Sequence, residues 1–357
     1  MAKDPVVVAF TCDPIEGRDR FPSRRVCEQY WEHVPKWIEA ANDIRRRVST
    51  AANIDMRFTW LIRVDRQMTD SGSEPAWALL RYMSDWLKAQ ERGDELGWML
   101  YPAYRDGDRW RQAYDDRGPL VELVEEGWEA FRSALTSPRA MMMGWRGHRE
   151  RSMHRVKELG IQVDLSALPG WYTESRLGVV PTLGACDWEV TPTFPYHPSV
   201  SDYRRPIVYR GDPALELLEL PVTLVQATSA QLRASLSDLL KTGSLGLSRN
   251  YRRRRHGVPL HLDHAPSRFR SLAKRFFTDV KPDKFAFSFT CPGATLLARA
   301  AVDNVCANLS WLLASSHHHL HALVPLTGRE AYRSLTGGAL RMLSLETSCG
   351  HEHAHHH

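Results

Sequence analysis

Near its N-terminus the chain reads Val6-Val7-Val8-Ala9-Phe10, followed by Thr11-Cys12-Asp13. A continuous run of β-branched and aromatic residues, with no polar residue in alternation, is typical of a strand that is buried on both faces. No G-x-G-x-x-G pattern follows this run, which argues against a Rossmann fold. Runs of the same kind recur at Phe58-Thr59-Trp60-Leu61-Ile62, Leu96-Gly97-Trp98-Met99-Leu100, Met141-Met142-Met143, Leu217-Leu218-Glu219-Leu220 and Phe285-Ala286-Phe287-Ser288-Phe289.

Segments with helical spacing separate these predicted strands. They cover residues 76–87, 120–135, 232–240 and 294–313. Strands that alternate with helices indicate parallel βαβ units, and so many units without an obvious linker favour one barrel-like domain. We therefore expect an α/β fold with a single domain over residues 1–335 and a C-terminal tail over residues 336–357, which ends in tag-type histidines.

The composition is that of a globular protein, because 43% of the 357 residues are hydrophobic and 25% are charged. No apolar run approaches the roughly 20 residues that span a bilayer, and the first residues lack the apolar region of a signal peptide. We expect a cytoplasmic protein without a membrane partner. The net charge of +5 lies partly in Arg252–Arg255, a run typical of a solvated loop. We therefore expect no nucleic-acid partner, and the sequence leaves the oligomeric state open.

Cysteines and histidines form no recognisable metal motif. The six cysteines lie far apart without a C-x-x-C pair, so we interpret them as reduced thiols and Cys291 as a buried one. The segment His256–His264 has a composition that zinc accepts, but its spacing matches no known site pattern. We interpret it, and the histidines within residues 317–321, as ordinary loop residues.

In a parallel barrel the chemistry lies at the carboxyl ends of the strands. The residues at or just after these predicted ends are Asp13 and Glu16, Arg63 and Asp65, Met99 and Tyr101, Arg146 and His148, and Cys291. In this order they resemble the polysaccharide deacetylase family, the NodB-homology carbohydrate esterases. The matching segments are Phe10-Thr11-Cys12-Asp13, Thr59-Trp60-Leu61, Gly93-Asp94-Glu95-Leu96-Gly97-Trp98, Trp145-Arg146-Gly147, residues 158–166 and Leu218-Glu219-Leu220-Pro221-Val222.

The resemblance covers roughly residues 5–333 and implies a distorted (β/α) barrel of the polysaccharide deacetylase type. It also implies a divalent metal, typically zinc, that is bound by one Asp and two His. Here Pro14, Met99 and Tyr101 stand at those positions, and the late strand Ser288–Pro292 has no histidine. A thioether and a phenol do not replace two imidazoles for such a cation. We therefore expect a divergent member with no metal and no cofactor.

Asp13 matches the family's catalytic base, and Glu16 follows it closely. Two carboxylates in a partly dry cleft push their pKa values apart, which provides an acid and a base without a metal. The alternative is a loop-capping pair on the surface. Arg146 matches an arginine that orients the base, so we expect an Asp13–Arg146 ion pair, which a purely structural role would also produce.

Two further side chains are candidate catalytic residues. His148 could carry a proton near neutral pH, or could belong to a solvated helix start. Tyr101 could donate a hydrogen bond to a developing oxyanion, or could fill, together with Met99, the cavity left by the metal.

Residues 169–213 show no clear periodicity and are rich in Pro, Gly, Trp and Tyr. A long ordered loop in a compact barrel is usually functional, so we expect this stretch to form a wall of the cleft. Aromatic faces suit sugar rings, although several of the 12 Trp residues must belong to the core. The expected substrate-binding residues are Trp60, Arg63, Asp65, Trp98, Trp171, Trp188 and Tyr196.

Three functions fit this sequence. The first is an enzyme that acts on a small polar, sugar-derived or specialised metabolite by metal-independent acid–base chemistry. The second is a metal-dependent N-deacetylase with a remodelled site, in which Asp13, Glu16 or His148 holds the metal. The third is a non-catalytic protein that binds a glycan or a partner through the aromatic cleft.

Overall fold

The computed structural model of the protein describes residues 3–14, 23–70, 72, 74–114, 118–173, 185–206, 213–225, 257–279, 286–314 and 322–336. The strands are β1 (Lys3–Cys12), β2 (Thr59–Arg63), β3 (Glu95–Leu100), β4 (Ala103–Asp106), β5 (Arg109–Gln112), β6 (Ala140–Met143), β7 (Val163–Asp164), β8 (Tyr172–Thr173), β9 (Cys186–Asp187), β10 (Leu218–Glu219), β11 (Leu224–Val225), β12 (Val258–Pro259), β13 (Phe287–Pro292) and β14 (Ala322–Pro325). The helices are α1 (Arg24–Trp31), α2 (Val34–Ala52), α3 (Trp77–Arg81), α4 (Met83–Glu91), α5 (Leu120–Ala134), α6 (Glu150–Glu158), α7 (Pro266–Asp279) and α8 (Arg299–Leu313).

A curled parallel sheet lies at the centre of the fold. Its strands follow one another in the order β10-β7-β6-β3-β2-β1-β13, and β14 pairs with the N-terminal part of β1. Neighbouring strands along this order are all parallel. The predicted apolar runs form six of these eight strands, all but β7 and β14, and the expected α/β fold with one distorted (β/α) barrel is confirmed.

The two edges of the curled sheet approach each other just after β10. The backbone N–H of Thr223 donates to the carbonyl oxygen of Ser288 on β13 at 3.0 Å. In return, the backbone N–H of Ser288 donates to the Thr223 hydroxyl at 2.8 Å. Among the described residues, one backbone hydrogen bond and one hydrogen bond to a side chain join the two edges here. A regular ladder of backbone hydrogen bonds does not form between β10 and β13, so the barrel is distorted.

Side chains of β1 alternate between two apolar clusters. Val6, Val8 and Phe10 belong to a large cluster that also contains residues of α2 and α8. Val7 and Ala9 belong to an inner cluster formed mainly by residues of the neighbouring strands. Both faces of the sheet are buried, and this explains why the sequence of β1 shows no alternation of apolar and polar residues.

Antiparallel hairpins follow the carboxyl ends of several sheet strands. The pair β4–β5 begins directly after β3, and the pair β8–β9 follows β7. Part of the stretch at residues 169–213 thus forms β8 and β9 beside the carboxyl edge of the sheet, while its residues 174–184 and 207–212 lie outside the described ranges. None of the described helices is long and apolar enough to cross a membrane.

Some predicted helices differ from those observed. The segment at residues 76–87 is divided at Tyr82 into α3 and α4. The segment at residues 294–313 begins as a 3-10 helix over Gly293–Leu297, which ends where Ala298 takes an extended conformation, and continues as α8. The predicted helix at residues 232–240, the run Arg252–Arg255, the histidines of residues 317–321 and the tail from residue 337 lie outside the described residues.

Candidate active site

Three neighbouring strands bring polar side chains together at the carboxyl edge of the sheet. Asp13 follows β1, Arg63 ends β2 and Tyr101 follows β3. The Asp13 carboxylate accepts a hydrogen bond from Arg63 Nη1 at 2.8 Å and another from the Tyr101 hydroxyl at 2.6 Å. The parallel register places these strand ends side by side, so residues far apart in sequence meet here.

Arg63 lies between two carboxylates and is fully buried. Its Nε donates to Asp65 Oδ2 at 2.7 Å, and its Nη2 donates to Gln67 Oε1 at 2.6 Å. The guanidinium also stacks over the ring of Tyr101, 4.2 Å from the ring centroid. Burial by itself lowers the pKa of Arg63, but Asp65 and Asp13 outweigh it and raise that pKa above its ordinary value.

Asp65 fixes the end of β3 against the end of β2. Its Oδ2 accepts a hydrogen bond from the backbone N–H of Tyr101 at 3.0 Å, and its Oδ1 accepts one from the backbone N–H of Gln67, also at 3.0 Å. The Asp65 side chain is fully buried. Asp65 therefore positions both the cation and the phenol that contact Asp13.

The Tyr101 ring is held in one orientation. Burial raises the pKa of Tyr101 well above its usual value, and the Asp13 carboxylate raises it further, so the phenol remains a proton donor at neutral pH. Trp145 packs edge-on against the ring at 4.8 Å between centroids. A Cβ on Gly144 would lie 2.4 Å from Cγ of Tyr101, so this close approach requires glycine.

Trp145 and Arg146 both take left-handed backbone conformations, with φ of 52° and 56°. Such conformations are costly for residues other than glycine and are often found at functional sites. The turn directs the Arg146 guanidinium to the carbonyl oxygens of Leu165 and Ser166, at 3.2 and 2.9 Å, and to the Thr290 hydroxyl at 3.4 Å. The indole Nε1 of Trp188 donates to the carbonyl of Arg146 at 2.8 Å and braces this turn.

The expected Asp13–Arg146 ion pair is wrong, because Asp13 pairs with Arg63 and the Arg146 guanidinium contacts uncharged groups elsewhere. Arg63 belongs to the strand next to β1 and reaches Asp13 directly. From its left-handed turn, Arg146 instead contacts Leu165 just after β7 and Thr290 on β13. Arg63 and Asp65 were expected to bind substrate, but both are fully buried. Arg63 instead donates to Asp13, and Asp65 accepts from the backbone N–H of Tyr101.

His148 belongs to a second polar cluster, which is fully buried. Its Nε2 lies 2.9 Å from Asp164 Oδ2, and its Nδ1 lies 3.3 Å from the Ser152 hydroxyl. Glu219 stands opposite Asp164 in the β7–β10 register, and its Oε1 accepts a hydrogen bond from the backbone N–H of Ala167 at 2.8 Å. His148 therefore makes its contacts away from Asp13, and the structure does not bring these two candidates together.

The two carboxyl groups of this cluster differ in their pKa values. Burial, and after it the neighbouring Asp164, raise the pKa of Glu219 well above its usual value. Burial opposes ionisation of Asp164 as well, but His148 outweighs it and lowers the pKa of Asp164. Asp164 therefore loses its proton more readily than Glu219, and the Asp164 carboxyl group faces His148.

Most of the aromatic residues expected at the cleft are core residues. Trp60, Trp98 and Trp188 are fully buried, and Tyr196 is 4% exposed. The indole of Trp60 donates to Asp94, and that of Trp98 donates to the carbonyl of Val64. Trp171 remains partly exposed, as does Trp145, which the sequence did not single out. Glu16 lies outside the described residues.

Gln67 and Thr290 were also missed. Gln67 lies beyond the end of β2, in a 3-10 helix over Arg66–Asp70, so strand periodicity gives no signal for it. Thr290 lies on β13 directly before Cys291, which the sequence places at a strand end as a buried thiol. Cys291 itself is a buried thiol, and burial raises its pKa to about 12.

The residues at this edge do not fit the zinc site that the family resemblance implies. The Arg63 guanidinium already contacts Asp13 at 2.8 Å, and the Tyr101 hydroxyl donates to the same carboxylate instead of offering a lone pair to a cation. Within the described ranges no group of three or more His, Cys, Asp or Glu residues could hold a metal ion. Arg63 and Tyr101 therefore occupy the contacts of Asp13 that a metal ion would need.

No protein-family model and no curated protein matches the sequence of this chain. The chain is similar to the crystal structure of a "putative polysaccharide deacetylase" from Mycobacterium smegmatis, with a TM-score of 0.47 and 11% identity over 95% of this chain and 92% of that one. It is also similar to a 4-alpha-glucanotransferase from Thermococcus litoralis, with a TM-score of 0.41 and 11% identity over 93% of this chain and 40% of that one. A branching enzyme from Thermococcus kodakaraensis, solved in complex with glucose, has a TM-score of 0.38 and 9% identity over 92% of this chain and 74% of that one.

Proposed function

We propose that the protein is an enzyme that uses metal-independent acid–base chemistry on a small polar, sugar-derived metabolite. The observation that carries this proposal is the hydrogen bond of 2.6 Å between the Tyr101 hydroxyl and the Asp13 carboxylate at the carboxyl edge of a parallel barrel. Active sites of such barrels lie at this edge. A proton donor and a carboxylate in direct contact are the parts that proton transfer requires.

The exposure of the two side chains suggests their order of contact with a ligand. Tyr101 is partly exposed, whereas Asp13 is only 5% exposed. A substrate oxygen that gains negative charge would accept the Tyr101 hydrogen bond in place of Asp13. Asp13 would then take the proton that the substrate releases, and the phenol would keep its own proton. In this scheme the substrate loses one proton and Asp13 gains it.

Arg63 acts through Asp13 in this proposal. Its guanidinium is fully buried, so it does not reach a substrate. It supplies the positive charge beside Asp13 and holds the carboxylate with an ion pair of 2.8 Å. We therefore assign Arg63, Asp65 and Gln67 as positioning residues.

Ligand binding without turnover is the competing function. It is favoured by the low exposure of Asp13, whose two oxygens already accept hydrogen bonds from Arg63 and Tyr101. A carboxylate held in this way could also orient a bound sugar hydroxyl. Metal-dependent deacetylation is less favoured, because the residues at this edge do not fit a metal.

The test is a comparison of turnover with affinity. Mass spectrometry of the protein incubated with acetylated amino sugars, sugar acids and sugar phosphates identifies a converted compound, and calorimetry measures its binding. For that compound Asp13→Asn should reduce turnover by about 10²- to 10⁴-fold with little change in affinity. Tyr101→Phe should reduce it by about 10²- to 10³-fold, because an oxyanion donor is lost.

Two variants outside the site serve as controls. Asp43 lies on α2 and pairs with Arg46 at the surface, so Asp43→Asn should leave turnover unchanged. Tyr82 lies between α3 and α4, so Tyr82→Phe should also be neutral. Full activity of Asp13→Asn would remove Asp13 from the mechanism. Binding of a panel compound without conversion of any would instead support the binding function.

A further inference from the structure

Within the described part of the chain, Arg146 differs from Arg63 in that its hydrogen-bond partners are uncharged. Its guanidinium donates to the carbonyl oxygens of Leu165 and Ser166 and lies 3.4 Å from the Thr290 hydroxyl. Among the described residues no carboxylate lies within ion-pair distance of it. Burial lowers the pKa of Arg146, which is the direction expected for a cation that lacks a direct counter-ion.

Two buried carboxyl groups influence Arg146 without pairing with it directly. Asp164 and Glu219 act on Arg146 only from beyond ion-pair distance. The Asp164 carboxylate faces His148 at 2.9 Å. Burial and Asp164 raise the pKa of Glu219 well above its usual value, so this carboxyl group ionises less readily than an ordinary glutamate. A desolvated guanidinium without a paired anion is costly, so an anion from solution would stabilise this arrangement.

Several residues around Arg146 at the carboxyl edge are open to solvent. Arg146, Tyr101 and Thr290 are all partly exposed at the carboxyl edge. His261 is exposed and lies within electrostatic range of Arg146. Asp263 is the acidic residue that faces His261, and Arg268 adds a further positive charge there. The carboxyl edge of the barrel thus carries the Arg146 guanidinium, the Thr290 hydroxyl and the Tyr101 phenol.

We propose that Arg146 binds an oxyanion of the ligand, a carboxylate or a phosphate, with the Thr290 hydroxyl as a second donor. The planar guanidinium suits both groups, because two of its N–H bonds can point at two oxygens of one anion. This inference rests on the proposed function, since Tyr101 lies within electrostatic range of Arg146 and an anion held there places the rest of the ligand beside Tyr101 and Asp13. The substrate class is therefore an acidic sugar derivative.

Calorimetry and thermal unfolding with four probes test this site. The probes are inorganic phosphate, glucuronate, glucose 6-phosphate and, as the neutral match, glucose, all at equal ionic strength. Wild-type protein should bind at least one of the anions and be stabilised by it, and glucose should bind more weakly. A preference for glucuronate identifies a carboxylate as the anion, and a preference for glucose 6-phosphate identifies a phosphate. Failure of all three anions to bind at millimolar concentration would overturn the proposal.

Two arginine variants locate the binding. Arg146→Gln should weaken binding of the anion by about 10- to 100-fold, because a charge-assisted pair is lost. It should leave the affinity for glucose unchanged. Arg139 is a matched control, since it also donates to a backbone carbonyl, that of Gly160 at 2.8 Å, but precedes β6 at the opposite edge of the sheet. Arg139→Gln should bind the anion like wild type. Equal affinities of Arg146→Gln and wild type would contradict the assignment.

A chemical measurement on the wild-type protein covers the case in which Arg146→Gln does not fold. Phenylglyoxal modifies accessible arginines, and peptide mass spectrometry reports which ones. The bound anion should protect Arg146 but not the exposed Arg132, and glucose should protect neither. Modification of Arg146 at the same rate with and without anion would overturn the proposal.

One variant separates this inference from the proposed function. Asp13→Asn should bind the anion as wild type does, because Asp13 does not contact the Arg146 guanidinium. Retained anion binding together with full turnover in this variant would refute the catalytic proposal and leave the anion site standing. Lost anion binding in Arg146→Gln together with a turnover defect in Asp13→Asn would support both.

Discussion

Removal of the Arg63 guanidinium tests whether it is the internal counter-ion of the site. Arg63→Met keeps much of the side-chain volume and deletes the charge. The guanidinium donates to Asp13 at 2.8 Å, to Asp65 at 2.7 and 3.3 Å, and to Gln67 at 2.6 Å. All of these bonds lie in the interior, since Arg63 and Asp65 are fully buried and Asp13 is 5% exposed. The variant therefore leaves two buried carboxylates side by side without their cation.

The expected loss of stability follows from this geometry. Breaking a buried ion pair by removal of one partner costs about 3–5 kcal/mol, because the remaining charge is uncompensated. Replacement of one remaining carboxylate, as in Arg63→Met with Asp13→Asn, should recover part of that loss. Replacement of both, with Asp65→Asn added, should recover more. The free energy of unfolding should therefore be highest for wild type and lowest for Arg63→Met. The triple variant should be more stable than the double variant, and both should lie between these limits.

Urea denaturation followed by tryptophan fluorescence measures this order, with the transition midpoints compared at equal slopes. Arg132→Met is the control, because Arg132 forms an exposed ion pair with Glu129 and such pairs contribute about 0–1 kcal/mol. A loss below about 1 kcal/mol for Arg63→Met would refute the counter-ion role, since it would equal that of a surface pair. A double variant less stable than Arg63→Met would refute it as well.

Two further predictions concern Glu219 and Gly144. Burial and Asp164 raise the pKa of Glu219 well above 4.5, so wild-type stability should fall as pH rises above that value. Glu219→Gln mimics the protonated acid and should flatten this fall in urea denaturation across pH, whereas Glu216→Gln, at an exposed position, should follow wild type. If the stability of Glu219→Gln fell with pH as steeply as that of wild type, the raised pKa of Glu219 would be contradicted. Gly144→Ala places a Cβ 2.4 Å from the Tyr101 ring and should lower the free energy of unfolding by about 1–3 kcal/mol. It should also reduce turnover, whereas Gly293→Ala, with its nearest neighbour at 3.4 Å, should be neutral in both assays.

The sequence predicted six of the eight strands of the sheet and their approximate ends, because burial on both faces is a local property of composition. The two-residue strand β7 was implied only by the family resemblance, and β14 was not predicted. A run such as Val6–Phe10 needs no knowledge of its neighbours to indicate a buried strand. The position of Asp13 and Tyr101 at strand ends followed in the same way, and the structure brings these two side chains into contact. The order of βαβ units predicted the class of fold for the same reason.

Strand periodicity could also have corrected two of the expected substrate contacts. Successive side chains of a strand point to opposite faces, so residues three apart in one strand do not share a face. Trp60 therefore cannot face the same side as Arg63, nor Trp98 the same side as its strand neighbour Met99. In the structure both tryptophans are fully buried in the large cluster that contains α2 and α8.

The partner of Asp13 was decided by the tertiary structure alone. Two arginines follow strand ends, and choosing between Arg63 and Arg146 requires the strand order and the direction of each side chain. The left-handed turn at Trp145 and Arg146 has no sequence signature, because neither residue type favours that conformation. Long-range contacts of Trp188 with the Arg146 carbonyl and of Tyr101 with Trp145 hold this turn, and no carboxylate of the described residues pairs with Arg146.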